Sequence, residues 1–413
     1  MTARTPLPLL HECALDVIAR HRATGDPLDR VAGTVGRARR LGPRERAALG
    51  DLVFGWARHR QAGERAIAAA LARARGRAPP MRERDLCLLL LAQRAAGAEP
   101  DARARARLPD ALTALLDLHA DGGSFDGVIG LPDWLAARLA AQRQDLPELL
   151  AALAQPAPLG LALERSQLAV DDAVAALRAL GADAAPSPLV AGAVRVVGRA
   201  RLAKLPRAIG AALWPMDEGS QVIARTVDAR RGERVLDLCA GAGTKTRLLL
   251  QTGAHVVAAD LGAERLARAP AAAARVVMDG TSGGLRARSF DKVLLDAPCS
   301  GTGTLRRAPD LAHRLREQEL PALVDAQRRL LTAAIALARP GGLVVYATCS
   351  LLHEENEAVV QRALTDTAGL ARVPLRSLWG EDVRLDDEGK GELRLLPHLH
   401  GCDGFYLAAL RAA

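Results

Sequence analysis

Aromatic side chains are nearly missing from this 413-residue chain, at 2% of the sequence. Base-stacking platforms are therefore not expected, and any grip on a nucleic acid would fall mainly to phosphate contacts. No run of 18 apolar residues occurs, so no membrane span is expected. The first residues form no apolar h-region, so no signal peptide is expected either. The six cysteines include no CxxC pair, which argues against a disulfide framework or a structural metal site. A reducing cytoplasm is the expected compartment. Lysine is scarce as well: four residues, at 204, 245, 292 and 390, stand against 52 arginines.

What is present fits a globular protein. Apolar residues make up 49% and charged residues 25%, and the length allows two or three domains with real cores. The net charge of +9 is uneven. Residues 1–110 hold 21 arginines against 12 acidic residues, and the remainder is balanced at 35 and 35. A basic domain joined to a neutral one suggests a polyanionic partner such as nucleic acid. The plainer alternative is a solvated helical surface in an arginine-rich chain. Any grip on a nucleic acid would then fall to 130–215 or to the loops around Arg306 and Arg307.

Periodicity divides the chain in three. Residues 1–125 read as helices: Leu10, Ala14, Val17 and Ile18 recur at helical spacing, as do Leu49, Leu52, Val53 and Trp56. Pro43 stands near a helix start, and 86–91 is a fully apolar helix core. The pattern breaks at Asp121-Gly122-Gly123, a linker signal. Residues 130–215 read as a small α+β region, with strands at 159–163 and 194–197 around a helix at 170–180. From 216 to 413, strands at 234–238, 255–260, 275–279, 290–296, 342–348 and 405–410 alternate with helices. That order predicts an α/β fold with a doubly wound parallel sheet.

Two of the strands lead into cysteines fifty residues apart. Val293-Leu294-Leu295 precedes Asp296-Ala297-Pro298-Cys299-Ser300-Gly301, and Leu343-Val344-Val345 precedes Tyr346-Ala347-Thr348-Cys349-Ser350. Both thiols then lie past the carboxyl ends of buried strands, the edge where open α/β sheets bind ligands. Two thiols there point to covalent chemistry. Cys13, Cys87 and Cys402 read as inert buried thiols.

The first strand of the sheet runs into Cys239-Ala240-Gly241-Ala242-Gly243-Thr244-Lys245 and then a helix. Small residues let the backbone approach a ligand. The spacing is neither that of a dinucleotide fingerprint nor that of a P-loop. Asp237, Asp260, Asp279 and Asp296 end four successive strands or their loops. One such aspartate is ordinarily a helix cap. Four together favour an adenosine-containing cofactor not led by phosphates, with S-adenosylmethionine as the natural candidate. Lys245 resists the arginine drift, and its compact ammonium suits a cofactor carboxylate or a loop carbonyl.

These motifs resemble the Nop/Sun family of RNA cytosine-C5 methyltransferases, above all its small-subunit ribosomal RNA branch. The resemblance covers nearly the whole chain and is strongest over 216–221, 237–246, 296–310, 346–356 and 401–405. The stretch 41–60, with Glu45-Arg46 and Leu52-Val53-Phe54-Gly55-Trp56, resembles the family's NusB-type RNA-binding helical domain. The resemblance implies a Rossmann-like S-adenosylmethionine domain preceded by an all-α NusB-like domain and a small α+β region. It implies that 239–245, Asp260, Asp279 and Asp296 line the cofactor site. It also implies that Cys349 is the nucleophile, that Cys299 assists product release, and that the partner is ribosomal or transfer RNA. Three departures stand out. Gly241-Ala242-Gly243-Thr244 replaces Ala-Pro-Gly-Gly, which keeps small residues at the cofactor. Ala308-Pro309-Asp310-Leu311-Ala312-His313 lacks the usual Lys-Trp pair, which alters the RNA contacts expected there. Leu161-Ala162-Leu163-Glu164 replaces a strand ending in Val-Asn.

The chemistry asks for these residues. Cytosine C5 is a poor nucleophile until a thiolate adds at C6. Asp296 is the acid available for N3. The base must leave its stack to reach such a pocket. An amino-methyltransferase would carry an Asn/Asp-Pro-Pro-aromatic motif, and Asp296-Ala297-Pro298-Cys299 stands there instead. A non-catalytic RNA-binding factor would have no need of both cysteines.

Overall fold

Proline and glycine set where the N-terminal helices begin and end. Pro8 precedes α1 (Leu9–Thr24), Pro27 precedes α2 (Leu28–Ala38), and Pro80 precedes α4 (Met81–Ala95). Pro43 opens α3 (Pro43–Arg73), where its missing N–H would have had no helical partner. The Gly42 amide donates to Glu45 Oε2 at 2.7 Å, closing that first turn. Gly25, at φ 72, ends α1 by donating to His21 O, in a conformation glycine adopts without strain. The computed structural model describes residues 7–74, 78–118, 130–198 and 200–412. The linker signal at 121–123 lies outside them.

The chain divides into two compact units. One comprises residues up to Gln155 together with Leu305–Leu315; the other comprises Pro156–Thr304 and Arg316 onward. The first is helical, with Val17, Ile18, Val53, Trp56 and Leu89 fully buried in its core. Its inserted segment is tied in by polar bonds. Asp310 accepts from the Leu28 amide at 3.3 Å, and His313 Nε2 meets Ala57 O at 2.8 Å.

The boundaries differ from the expected three parts. Helices Asp133–Gln142 and Leu146–Ala154 belong to the first unit, whereas 156–215 joins the second. The reason is a shared core and a buried acid. Glu218 accepts from Ser187 Oγ and from Arg195 Nε, and Leu189, Val190 and Ala193 pack in one cluster with Val222 and Val227.

The second unit holds two sheets. Strands β1 (Leu159–Leu163), β2 (Asp183–Pro186), β3 (Ala193–Val197) and β4 (Leu213–Pro215) pair antiparallel in the order β2-β3-β1-β4. The larger sheet contains β5 (Arg234–Asp237), β6 (His255–Asp260), β7 (Ala274–Val277), β8 (Phe290–Asp296), β9 (Ala338–Thr348), β10 (Ala371–Arg372), β11 (Glu392–Leu395) and β12 (Phe405–Arg411). Its order is β10-β12-β9-β8-β5-β6-β7, with β11 also on β12. Strands β5 to β9 are parallel, as the sequence predicts.

The last strand corrects that prediction. β12 runs antiparallel to β9, and β10 and β11 pair antiparallel with β12. Nine residues, 396–404, join β11 to β12, fewer than a crossover needs, so the chain turns back and Leu395 faces Phe405.

Alternate residues of the central strands serve opposite faces. Leu294, Val345 and Ala347 pack with Val222, Ile223 and Leu249. Val293, Leu295 and Tyr346 pack with Leu330 and Leu331 of helix Leu320–Leu337. Both faces are therefore covered. β5 has β6 on one side and β8 on the other, so the chain reverses direction across the sheet at β5/β8, where such folds open a ligand crevice.

Candidate active site

The crevice begins where β5 ends at Asp237. Leu238–Gly243 then turns into helix Thr244–Leu250. Gly241 and Gly243 have φ of 55 and 76, and a Cβ on Gly243 would lie 2.6 Å from Ala269 Cβ. Only glycine fits there. A Cβ on Gly241 would meet nothing within 4 Å, so the loop backbone is open on that side.

The four aspartates separate by environment. Asp260 accepts from the Gly241 amide at 2.8 Å, the Gly262 amide at 2.7 Å and Arg265 at 2.9 Å. Burial works to raise its carboxyl, but these donors outweigh it and hold it below the ordinary aspartate range. Asp237 lies beneath the loop and accepts from Thr246 Oγ1 at 2.7 Å. Its Oδ1 is buried without a partner, and burial pushes the carboxyl up to about 6. Asp279 stands two residues past β7 and is exposed. The amide and hydroxyl of Thr281 each donate to it at 2.8 Å and hold it low. Asp296 ends β8 and accepts from Lys245 Nζ at 2.5 Å. Lys245 thus meets a carboxylate of the protein itself, where a cofactor carboxylate or loop carbonyl was expected. Burial lowers its ammonium, but the Asp296 charge and hydrogen bond prevail and leave it above the ordinary lysine value.

The two cysteines come together beside this pair. The loop after β8 stays in register with β9 through Ala297 N to Ala347 O at 2.8 Å. Cys299 Sγ lies 3.4 Å from Cys349 Sγ. Gly303 N donates to Cys349 O at 2.8 Å, and Gly404 N donates to Gly303 O at 2.8 Å. A Cβ on Gly303 would stand 2.0 Å from Gly404 O, so this close passage requires glycine. The hydrogen bond to Cys349, reinforced by burial, raises the Cys299 thiol well above the ordinary range. Cys239 is pushed up to about 12 by burial, which suits lining rather than attack. Cys13, Cys87 and Cys402 are buried.

Several residues of the site escaped sequence reasoning. Ser300 and Ser350, each directly after a cysteine, both donate to Glu355, which is 0% exposed. Gln327 donates to Glu355 Oε1 at 3.0 Å and to Pro298 O at 2.9 Å. Asn356 accepts from Thr348 Oγ1 at 2.5 Å and donates to Ser350 O at 2.9 Å. The run Ser300, Ser350 and Glu355-Asn356 beside the motifs was the available signal. Conversely, Arg306 is not a free cation for a ligand. It is 5% exposed, and its carbonyl accepts from Arg58 Nη2 at 3.2 Å.

Among the described residues, no helix is long and apolar enough to cross a membrane, and no cluster of three or more His, Cys, Asp or Glu could hold a metal ion.

The donor set suits S-adenosylmethionine. The loop backbone is open at Gly241, and the acceptor carboxylate of Asp260 stands at the next strand end for ribose hydroxyls. Parallel strands reversing at a glycine loop, with acidic strand ends, define a Rossmann-like S-adenosylmethionine-dependent methyltransferase. Residues 224–411 match the family described as 16S rRNA methyltransferase RsmB/F. Over 298 residues the chain is 34% identical to ribosomal RNA small subunit methyltransferase B of Xanthomonas campestris, covering 69% of this chain and 67% of that one. The enzyme of the same name from Pasteurella multocida is 32% identical over 300 residues, covering 68% and 65%. The chain belongs to the RsmB/F methyltransferase family. Its fold matches the crystal structure of PH0851 with a TM-score of 0.76 at 21% identity, over 99% of this chain and 100% of the other.

Proposed function

We propose that this protein transfers a methyl group from S-adenosylmethionine to C5 of a cytosine in RNA, and that the RNA is 16S ribosomal RNA. The observation that carries the covalent route is the pair of thiols 3.4 Å apart at adjacent strand ends, beside the Lys245–Asp296 pair. The bound cofactor supplies an electrophilic methyl group. Cys349 thiolate forms a bond to C6, and the displaced electron pair makes C5 nucleophilic while N3 takes up a proton from water and its N–H donates to the Asp296 carboxylate; N3 returns that proton to water when the product is released. Once C5 is methylated, Cys299 gives its own proton to water and accepts H5. The electron pair left at C5 restores the ring double bond and expels Cys349 as thiolate. The residues that hold the cofactor are Cys239 to Lys245 and Asp260, with Asp279 and Asp296 at the neighbouring strand ends. Residues 1–125 act as a NusB-like RNA-binding domain, and the reaction belongs to the cytoplasm.

The test is label transfer from methyl-labelled cofactor to total RNA, followed by bisulfite sequencing. Cys349→Ala is expected to abolish transfer while cofactor still binds by calorimetry. Turnover by that variant would overturn the nucleophile assignment. Label in transfer RNA but not in 16S ribosomal RNA would overturn the substrate.

A further inference from the structure

Each cysteine of the site is followed by a serine, and both serines end on one buried carboxylate. Glu355 follows β9 in the turn His353–Glu355 and is 0% exposed. Its Oε1 accepts from the Ser300 amide at 2.8 Å and from Gln327 Nε2 at 3.0 Å. Its Oε2 accepts from Ser300 Oγ at 2.5 Å and from Ser350 Oγ. Its backbone carbonyl accepts from Tyr346 OH at 2.6 Å, which fixes the turn to β9. Gln327 also holds Pro298 O, the carbonyl directly before Cys299. Thr302 completes the network by accepting from the Leu351 amide at 2.8 Å.

The chemistry of this hub is selective. Among the described residues no cation pairs with Glu355, so its charge is held entirely by neutral donors. A buried carboxylate without a counter-ion is strongly disfavoured unless its lone pairs are satisfied. A purely structural tie between two loops could use a neutral group. Four convergent donors, however, demand a group that only accepts, and glutamine would turn an N–H towards another donor. The charge also bears on the thiols, because it is one of the causes that hold the Cys299 thiol up.

We propose that Glu355 is a positioning residue for the two-cysteine reaction: its carboxylate, bonded to the residue after each cysteine, sets the spacing and division of roles between the Cys299 and Cys349 sulfurs. This rests on the covalent reading above. Glu355 touches no reacting atom; it acts through Ser300, Ser350 and Gln327.

The test compares Glu355→Gln, Glu355→Asp, Ser300→Ala and Ser350→Ala in the full chain. For Glu355→Gln, cofactor binding is expected to be unchanged, and KM for RNA to stay within about threefold, while kcat falls about 10²-fold, the scale of a misplaced reacting group. Iodoacetamide alkylation, followed peptide by peptide, is expected to show Cys299 reacting at lower pH once the neighbouring charge is gone. Glu355→Asp keeps the charge, so its alkylation profile should match the wild type and kcat should recover in part. If Glu355→Gln does not fold, the serine variants decide, because each leaves the carboxylate other donors. Each should lower kcat about tenfold, and the double variant should be non-additive. A wild-type kcat in Glu355→Gln or in the serine variants would overturn the proposal. So would a Glu355→Gln loss confined to KM or to melting temperature with an unchanged alkylation profile. If wild type transfers no label to RNA, the covalent reading fails by itself, and the alkylation profile still reports on Glu355.

Discussion

The Lys245 ammonium donates to the Asp296 carboxylate at 2.5 Å and so joins the helix after β5 to the end of β8. This lysine is one of four in the chain. Its compact head reaches one carboxylate oxygen as a point donor, where a guanidinium would present a planar fork. Lys245→Met is expected to lower kcat about 10²-fold by releasing Asp296, with Lys245→Arg only partly restoring it. The pair holds the lysine above its ordinary value. Its stabilisation is therefore fully present below that value and is lost only as pH rises through the higher folded one. Melting of the wild type should consequently show no pH-dependent step from this pair between about pH 6 and pH 9, where its contribution is constant. A titrating step there that vanishes in Lys245→Met would contradict the assignment.

Cys299→Ala is expected to trap the enzyme on its RNA. Cys299 is held as a thiol chiefly by its hydrogen bond to Cys349. When the Cys349 sulfur bonds to C6, that restraint changes just as a base for H5 is needed. Without Cys299 the adduct should persist as a slowly migrating, RNA-dependent band on a denaturing gel. Normal turnover with no such band would remove Cys299 from the release step.

Asp237 should make stability fall as pH rises through mild acid. Burial lifts its carboxyl from 3.8 to about 6 in the folded state. A carboxyl raised on folding penalises the native state where it must ionise, so stability declines between the unfolded and folded values and stays lower above them. The penalty is at most about 3 kcal/mol. Asp237→Asn, which can still accept from Thr246, should remove that slope. It should gain stability relative to wild type between about pH 4 and pH 7, as read by urea unfolding. Parallel curves for the two proteins would refute the buried-charge account.

The turn between α2 and α3 exposes Arg37, Arg39, Arg40, Arg44 and Arg46. Arg39 is engaged by Asp16 at 2.7 Å, and Arg40 sits at φ 53, a conformation unfavourable for a non-glycine residue. Replacing Arg37, Arg40 and Arg44 together by Gln should weaken RNA binding. It should also flatten the dependence of log affinity on log salt by about 2 to 3, at roughly 0.7 to 0.9 for each phosphate no longer neutralised. Cofactor affinity should not change. An unaltered salt slope would mark this corner as solvated surface.

The parallel strands were legible because β-branched and leucine runs bounded by turns have few other uses. Strand direction was not, since a buried run such as Phe405-Tyr406-Leu407-Ala408 reads the same either way; only its pairing with Leu395 and Thr348 fixes it. β2, β4, β10 and β11 are two to four residues long, too short for periodicity to register. At the site, the cysteines and strand-end aspartates stood out by residue type and position. Glu355 did not, because His353-Glu354-Glu355-Asn356 reads as the polar start of a helix. Its importance lies in Ser300 and Ser350, which contact it from fifty-five and five residues away.

Leu305–Leu315 leaves the second unit after Thr304 and returns at Arg316, so the polypeptide passes between units three times. The gene therefore cannot be divided at one point into two self-sufficient halves. A fragment ending at Gln155 lacks the Asp310 acceptor for the Leu28 amide and the His313 partner of Ala57. The complementary fragment carries those eleven residues with none of the helices they fold against. Any split or recombined descendant of this enzyme would have to inherit that short insert together with the helical part, even though it is encoded inside the catalytic one.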